Sequence, residues 1–284
     1  MAKLRLVHRC TECGGSFPKW SGKCLACGAW NSLVEDVEGP EESFVTLAAG
    51  LALVPPGEAT PIGDVNPNES DPVPTGIGEL DRVLGGGAVP GSIILLGGEP
   101  GIGKSTLLLQ AAAGIALAGG HVLYASGEES AAQIADRAER LGLMEGPAAE
   151  GVELLAESEV GAISEALMLA RPTLLIVDSI QTATLGGLEG PAGSVGQVRG
   201  AADWLAGTAR ATNCAVILVG HVTKEGSIAG PKTLEHLVDA VVMLDGDRHG
   251  TLRTLRAAKN RFGSTDELGL LEMGEHGLTG IDDP

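Results

Sequence analysis

Short apolar runs, each closed by a glycine, a proline or a charged residue, recur through the last two thirds of the chain. Ser92–Gly97, His121–Ala125, Val152–Leu155, Thr173–Val177 and Cys214–Val219 read as strands, the first and last of them buried. Between them the apolar positions fall into helical spacing. Leu107–Ala118 predicts an Ala/Leu-rich helix, and Ala131–Leu141, Val160–Ala170 (stopped by Pro172) and Ser194–Thr212 predict three more. Ile77, Leu80, Val83 and Leu84 share one helical face, which Gly85-Gly-Gly87 ends. Three strands close the chain, at Ala240–Leu244, Leu252–Ala257 and Leu270–Met273. This β/α alternation predicts one large α/β domain starting near Thr75.

The first 74 residues follow a different pattern. Val34 to Pro74 carries nine acidic residues and no basic ones, is rich in Pro, Gly and Glu, and reads as a linker with one short strand near Ser43–Leu47. Up to Leu33 there are five Lys/Arg against one acid, net +4, whereas the whole 284-residue chain is at −18. From Arg199 to Arg261 nine basic residues face six acidic ones, net +3. The acidic total argues against non-specific nucleic-acid binding over the whole surface but leaves room for local basic grooves. Aromatic residues make up only 2 %, so the core must be built from Ala, Leu, Val and Ile. The sequence holds no apolar stretch of about 20 residues, so no membrane helix is expected. The N-terminus lacks the apolar run of a signal peptide, so cytoplasmic residence is expected.

One stretch carries chemistry on its own. Gly98, Glu99, Pro100, Gly101, Ile102, Gly103, Lys104, Ser105 and Thr106 form a Gly-x₄-Gly-Lys-Ser pattern between a predicted strand and a predicted helix. That is the P-loop context, in which backbone N–H groups and a helix N-terminus cradle phosphate oxygens. Lys104 would reach the β- and γ-phosphates of ATP, and the Ser105 hydroxyl would take one position on Mg²⁺. The apolar run at Thr173–Val177 ends in Asp178, the arrangement in which a carboxylate holds the Mg²⁺ shell. Ser126-Gly-Glu-Glu-Ser130 follows another strand. One of its carboxylates, Glu128 ahead of Glu129, is placed to orient an attacking water, while Ser130 can cap the next helix. Two Gly-rich loops, Ala183 to Arg199 and Lys224 to Lys232, join the region of excess positive charge and are candidate DNA-facing segments. Lys259-Asn-Arg-Phe-Gly263 offers two cations for phosphate contact or forms an ordinary basic turn. Cys214 reads as a core residue.

At the other end, Cys10-Thr-Glu-Cys13 and Cys24-Leu-Ala-Cys27 are two C-x₂-C knuckles. Four thiolates at this spacing complete a tetrahedral site suited to structural Zn²⁺, with no open position for catalysis. So short a segment cannot build a core, and the metal supplies its folding energy. Trp20 and Trp30 flank the second knuckle, where they either stack on bases or pack over the metal cluster.

Taken together, the P-loop, the Glu pair, the Asp178 strand and the two loops resemble a RecA-type ATPase core. The four-cysteine motif with Trp20-Ser-Gly-Lys-Cys24, the run Thr75 to Gly87, Ser126 to Ser130, Asp178-Ser-Ile-Gln-Thr182 and Lys259 to Gly263 resemble the bacterial RadA (Sms) family along essentially the whole chain. The resemblance implies an α/β fold with a RecA-like P-loop ATPase core at 75–284, a zinc module at 1–33 and an acidic linker at 34–74. It also implies a DNA-dependent ATPase of recombinational repair that drives branch migration and unwinding as a ring-forming, DnaB-like homo-oligomer, with a hexamer as the expected ring. Single-stranded and branched DNA and a RecA-type recombinase are the partners it implies. Lys-Asn-Arg-Phe-Gly is that family's hallmark, and Lys259 and Arg261 then act on a neighbour's nucleotide or on DNA phosphates. The family normally continues into a Lon-protease-like domain, whereas this sequence ends at Asp283-Pro284. Stable ring assembly and duplex contact are among the family functions tied to that domain. A rival from another class is a nucleotide-gated scaffold whose zinc module docks a protein.

Overall fold

A computed structural model describes residues 5–10, 16–38, 61–64, 66, 70–221, 234–247 and 250–281. Cys13, the expected strand at 43–47, most of the acidic stretch and the loop at 224–232 lie outside the described residues. The chain divides into two compact units, one built mainly on residues 1–57 and the other on 58–284 apart from a short loop at 186–191.

The smaller unit is a three-stranded antiparallel sheet. Strands β1 (Arg5–Cys10), β2 (Ser16–Phe17) and β3 (Leu33–Glu38) lie in the order β2-β1-β3, with Cys10 opposite Leu33. Apolar patterning did not predict these strands, because Cys10, Cys24 and Leu33 are nearly all the core there is, with Phe17 packed against it. Strand β3 runs five residues into the stretch read from composition as linker.

The larger unit holds a nine-stranded sheet. Its strands are β4 (Ile93–Gly98), β5 (Val122–Ser126), β6 (Val152–Leu155), β7 (Leu174–Asp178), β8 (Ala215–His221), β9 (Ala240–Gly246), β10 (Leu252–Asn260), β11 (Leu268–Gly274) and β12 (Gly277–Gly280). They lie in the order β12-β11-β10-β9-β4-β8-β7-β5-β6. From β9 to β6 all neighbours are parallel, and β10 to β12 add an antiparallel edge. The helices are α1 (Gly78–Leu84), α2 (Lys104–Leu117), α3 (Ala131–Arg140), α4 (Gly146–Glu150), α5 (Val160–Ala170) and α6 (Val195–Thr212).

Every residue of β4, β5 and β7 is buried, which is why these strands read as unbroken apolar runs. Their side chains alternate between two cores. Ile94, Leu96, Tyr124, Leu174 and Ile176 join the core under α1, α2 and α3, while Ile93, Leu95, Leu123, Leu175 and Val177 join the core under α5 and α6. Helix ends follow local chemistry. Ser130 and Gln133 form a reciprocal capping box at α3, Ser194 caps α6, and Gly85 ends α1 in the left-handed conformation.

The closing region departs from the sequence reading. Strand β10 continues to Asn260 across a register shift between Ala257 and Lys259, so Lys259 and Asn260 belong to a strand and not to a turn. The short β12 and α4 carried too few apolar residues to be read from pattern. Strand β11 packs onto α1 and β12 onto α2. Gln110 Nε2 donates to the Leu278 carbonyl and Gln110 Oε1 accepts from the Leu278 N–H.

Candidate nucleotide site and zinc centre

Four parallel strands end at one place. The chain leaves β4 through the glycine loop, β5 through Ser126-Gly-Glu-Glu, β7 at Asp178 and β8 at His221. This is the carboxyl edge of the sheet, where open α/β folds bind ligands. A cavity of about 370 Å³ lies there, lined by Pro100, Gly101, Gly103, Lys104, Ser105, Thr106, Glu128, Glu129, Arg137, Asp178 and His221.

Two glycines of the loop are sterically required. A Cβ on Gly98 would sit 2.5 Å from the Leu244 carbonyl oxygen, and one on Gly103, at φ 115°, would sit 2.6 Å from Met273 Cε. Arg253, 5 % exposed, also fixes the loop: its Nε donates to the Ile102 carbonyl at 2.9 Å, and its Nη1 donates to the carbonyls of Asp247, Gly250 and Leu252.

Lys104 opens α2 and is 4 % exposed, with Nζ donating to the carbonyls of Gly98 and Glu99 at 2.9 Å each. Burial lowers its pKa, and the charges of Asp178 and Glu128 act in the opposite direction. A buried ammonium with no bonded carboxylate, lining a cavity together with the glycine loop, fits an anionic ligand. Asp178 is buried and accepts a 2.7 Å hydrogen bond from the Tyr124 hydroxyl. Burial first, and the Asp178 charge second, push that phenol well above its ordinary pKa, so it stays a donor and leaves the other carboxylate oxygen for the cavity. Ser105 and Asp178 both line this cavity, and such an oxygen pair suits Mg²⁺.

The two glutamates differ. Glu129 is held by Arg137 through two bonds of 2.6 Å, and this hydrogen bonding keeps its carboxyl below the usual range. Glu128 Oε1 accepts from the Ser179 hydroxyl and lies 3.3 Å from His221 Nε2. His221 Nδ1 is buried without a partner. The sequence reading missed His221, Arg137, Tyr124 and Arg253. Strand ends alone could have pointed to His221, since it pairs level with Gly98.

Lys259 and Arg261 are not in this cavity. Asn260 pairs with Ala240, and Ala240 with Ile94, so the motif lies at the amino edge of the sheet, four residues back along β4 from Gly98. That separates it from the start of the loop by roughly 13 Å of strand. Lys259 Nζ donates to the carbonyls of Glu235 and Val238 at 2.6 and 2.7 Å. Arg261 Nη1 donates to Asp239 Oδ1 at 2.8 Å while its side chain stays 55 % exposed.

In the small unit, the Sγ atoms of Cys10, Cys24 and Cys27 lie within 4.8 Å of one another. The Cys10–Cys27 separation of 3.7 Å matches the edge of about 3.8 Å expected of a tetrahedron with Zn–S near 2.3 Å. The backbone N–H of Cys27 leads the contacts that lower the Cys24 pKa, which favours the thiolate a metal needs. By contrast, burial drives the Cys214 thiol up to about 12, as befits an inert core residue.

These features define a RecA-like P-loop ATPase core accompanied by a zinc ribbon. A family model described as an AAA domain matches residues 73–227, and one described as a rubredoxin metal binding domain matches residues 8–35. The chain belongs to the AAA-domain family, and over its full length it is similar to proteins named DNA repair protein RadA. It is 47 % identical to that of Mycobacterium tuberculosis (strain ATCC 25618 / H37Rv) and 45 % identical to that of Bacillus subtilis (strain 168). All of this chain aligns in both cases, covering 58 % and 61 % of those proteins, so it spans about three fifths of their length. A crystal structure of the RadB recombinase shares the fold, with a TM-score of 0.56 at 24 % identity over 74 % of this chain and 100 % of that one. The cofactors are ATP, Mg²⁺ and Zn²⁺. Among the described residues no helix is long and apolar enough to cross a membrane.

Proposed function

We propose that the chain is a DNA-dependent ATPase of recombinational repair, working as a ring-forming, RecA/DnaB-like motor in branch migration and unwinding. In this reading residues 1–33 are the zinc module, 34–74 the linker and 75–284 the motor. Single-stranded and branched DNA, a RecA-type recombinase and further copies of the chain are its partners. The candidate DNA-facing segment among the described residues runs from Ala183 to Arg199, a loop to Ser194 and then the first turn of α6.

The loop from Gly98 to Thr106 takes the phosphates, and Lys104 exchanges its two carbonyl bonds for the β- and γ-phosphate oxygens. Ser105 and Asp178 would hold Mg²⁺, which would spread the charge that develops on the transferred phosphoryl group. Glu128 orients the water. His221 fixes Glu128 from the end of β8, and Ser179 fixes it from the turn after β7. Glu129 stays locked to Arg137 and takes no part in the chemistry.

The observation that carries the motor reading is the placement of the two cation sets at opposite edges of one sheet. Arg261 cannot serve its own P-loop, yet it is half-exposed and uses only one of its donors on Asp239. It therefore completes a neighbour's site as an arginine finger, with Lys259 holding the turn that presents it. The test is ATP hydrolysis with and without single-stranded DNA. Stimulation by about tenfold or more supports the motor. Hydrolysis that ignores DNA overturns it in favour of the nucleotide-gated scaffold.

A further inference from the structure

Trp20 and Trp30 do not pack over the cysteine cluster. They are 59 % and 73 % exposed, in a chain with only three tryptophans. The knuckle hairpin explains why. Cys24 N–H bonds to the Ala29 carbonyl and Gly28 N–H to the Cys24 carbonyl, which turns the thiols inward. Lys23 and Trp30 pair across this hairpin, and Asn31 N–H bonds to the Gly22 carbonyl. Trp20 comes from the preceding turn. The two indoles converge over Gly22, where an added Cβ would lie 3.9 Å from each ring.

Charge decides what such a surface suits. Lys23 Nζ sits 5.5 Å from the centroid of the Trp30 ring, Lys19 is exposed next to Trp20, and no carboxylate occurs in the sequence between Glu12 and Glu35. Two exposed π-faces with ammonium groups beside them match a strand of unpaired bases and its phosphates.

We infer that the zinc module carries a stacking platform for single-stranded nucleic acid, with bases on Trp20 and Trp30 and phosphates on Lys19 and Lys23. The inference rests on the reading of the chain as a DNA-binding ATPase and adds a contact site outside the motor. Zn²⁺ takes no direct part: it holds the hairpin that sets the rings side by side.

The test titrates the full chain with oligo-dT, following intrinsic fluorescence and, in parallel, the anisotropy of a labelled oligo-dT. The third indole, Trp204, belongs to the larger unit, where its Nε1 donates to Ser164, and it serves as an internal reference. Binding should quench the emission of Trp20 and Trp30. Trp20→Ala and Trp30→Ala should each weaken binding about fivefold or more, and the double variant should lose the quench. Trp→Phe variants should retain most of the affinity, since stacking needs only an aromatic face. Lys19→Ala should flatten the salt dependence by about 0.7 units. Metal analysis of each variant confirms that the module is folded. Unchanged oligo-dT affinity in a zinc-loaded double variant overturns the inference and leaves the motor reading intact, with the face returned to protein docking. If the unaltered chain binds no oligo-dT at all, both readings fail together.

Discussion

The two edges of the central sheet solve opposite problems. At the carboxyl edge, Lys104, Glu128, Asp178 and His221 come from four different strand ends and converge on a shared cavity. Their short bonds run to one another, to the glycine loop, and to Tyr124 and Ser179 beside them. At the amino edge, Lys259 is committed to two carbonyls, Asn260 donates to the Val83 carbonyl and Arg261 pairs with Asp239. Asp239 in turn accepts from the Ile93 N–H, so that cluster ties β10 to the root of β4. The first arrangement is organised for a ligand and the second for the fold, with the exposed part of Arg261 left over. A polar cluster inside one chain therefore declares its role by where its bonds run. Inward bonds that exhaust the donors indicate structure, and an excess of aimed, buried groups indicates a site.

The comparison breaks most completely at Lys104. Lys104→Ala should bring hydrolysis to background, a loss of at least about a hundredfold, with an unchanged circular dichroism spectrum. Near-normal turnover by the folded variant would remove the carboxyl edge as the active site. Arg261→Ala is next. It should keep ATP binding and lose the DNA-stimulated part of the rate, and mixing it with Lys104→Ala chains should restore some activity, because each chain supplies what the other lacks. If Arg261 instead contacts DNA, mixing restores nothing and the salt dependence of DNA binding flattens by about one unit. Full stimulated turnover in this variant would make the amino edge purely structural.

The smallest effect separates the two glutamates. Because Arg137 depresses the folded-state pKa of Glu129, the pair stabilises the fold above the ordinary carboxylate range, and this stability is lost as pH falls through the depressed value. Glu129→Gln should therefore lower Tm by about 1–3 °C at neutral pH, with the difference vanishing in acid, and leave hydrolysis largely intact. Strong loss of turnover with Glu129→Gln would reverse the roles assigned to Glu128 and Glu129.

Much of this was readable from residues alone, for a physical reason. Strands buried on both faces must be apolar throughout, so β4, β7 and β8 stand out, and a carboxylate or glycine closing such a run is conspicuous. Lys104, Ser105, Glu128 and Asp178 are each within a few residues of such an end. What escaped depends on register or distance. His221 lies at the site because β8 pairs level with β4, and Arg253 reaches Ile102 from 151 residues away. Lys259 and Asn260 looked like turn residues because the shift after Ala257 interrupts the alternation of β10. The strands of the zinc module went unread because three thiols, not an apolar stripe, organise that unit.

The anchorage of the phosphate loop has a consequence for the order of folding. Arg253 holds the loop from β10, Met273 packs against Gly103 from β11, and Leu278 pins α2 through Gln110 from β12. Arg253 and Leu278 lie 151 and 168 residues from the groups they hold. Closing contacts over such separations is entropically slow, so they form late. The glycine loop grips phosphate in its described geometry only once these distant strands have docked. Nucleotide affinity is thus a property of the docked sheet edge, and phosphate binding reports whether β10 to β12 are in place.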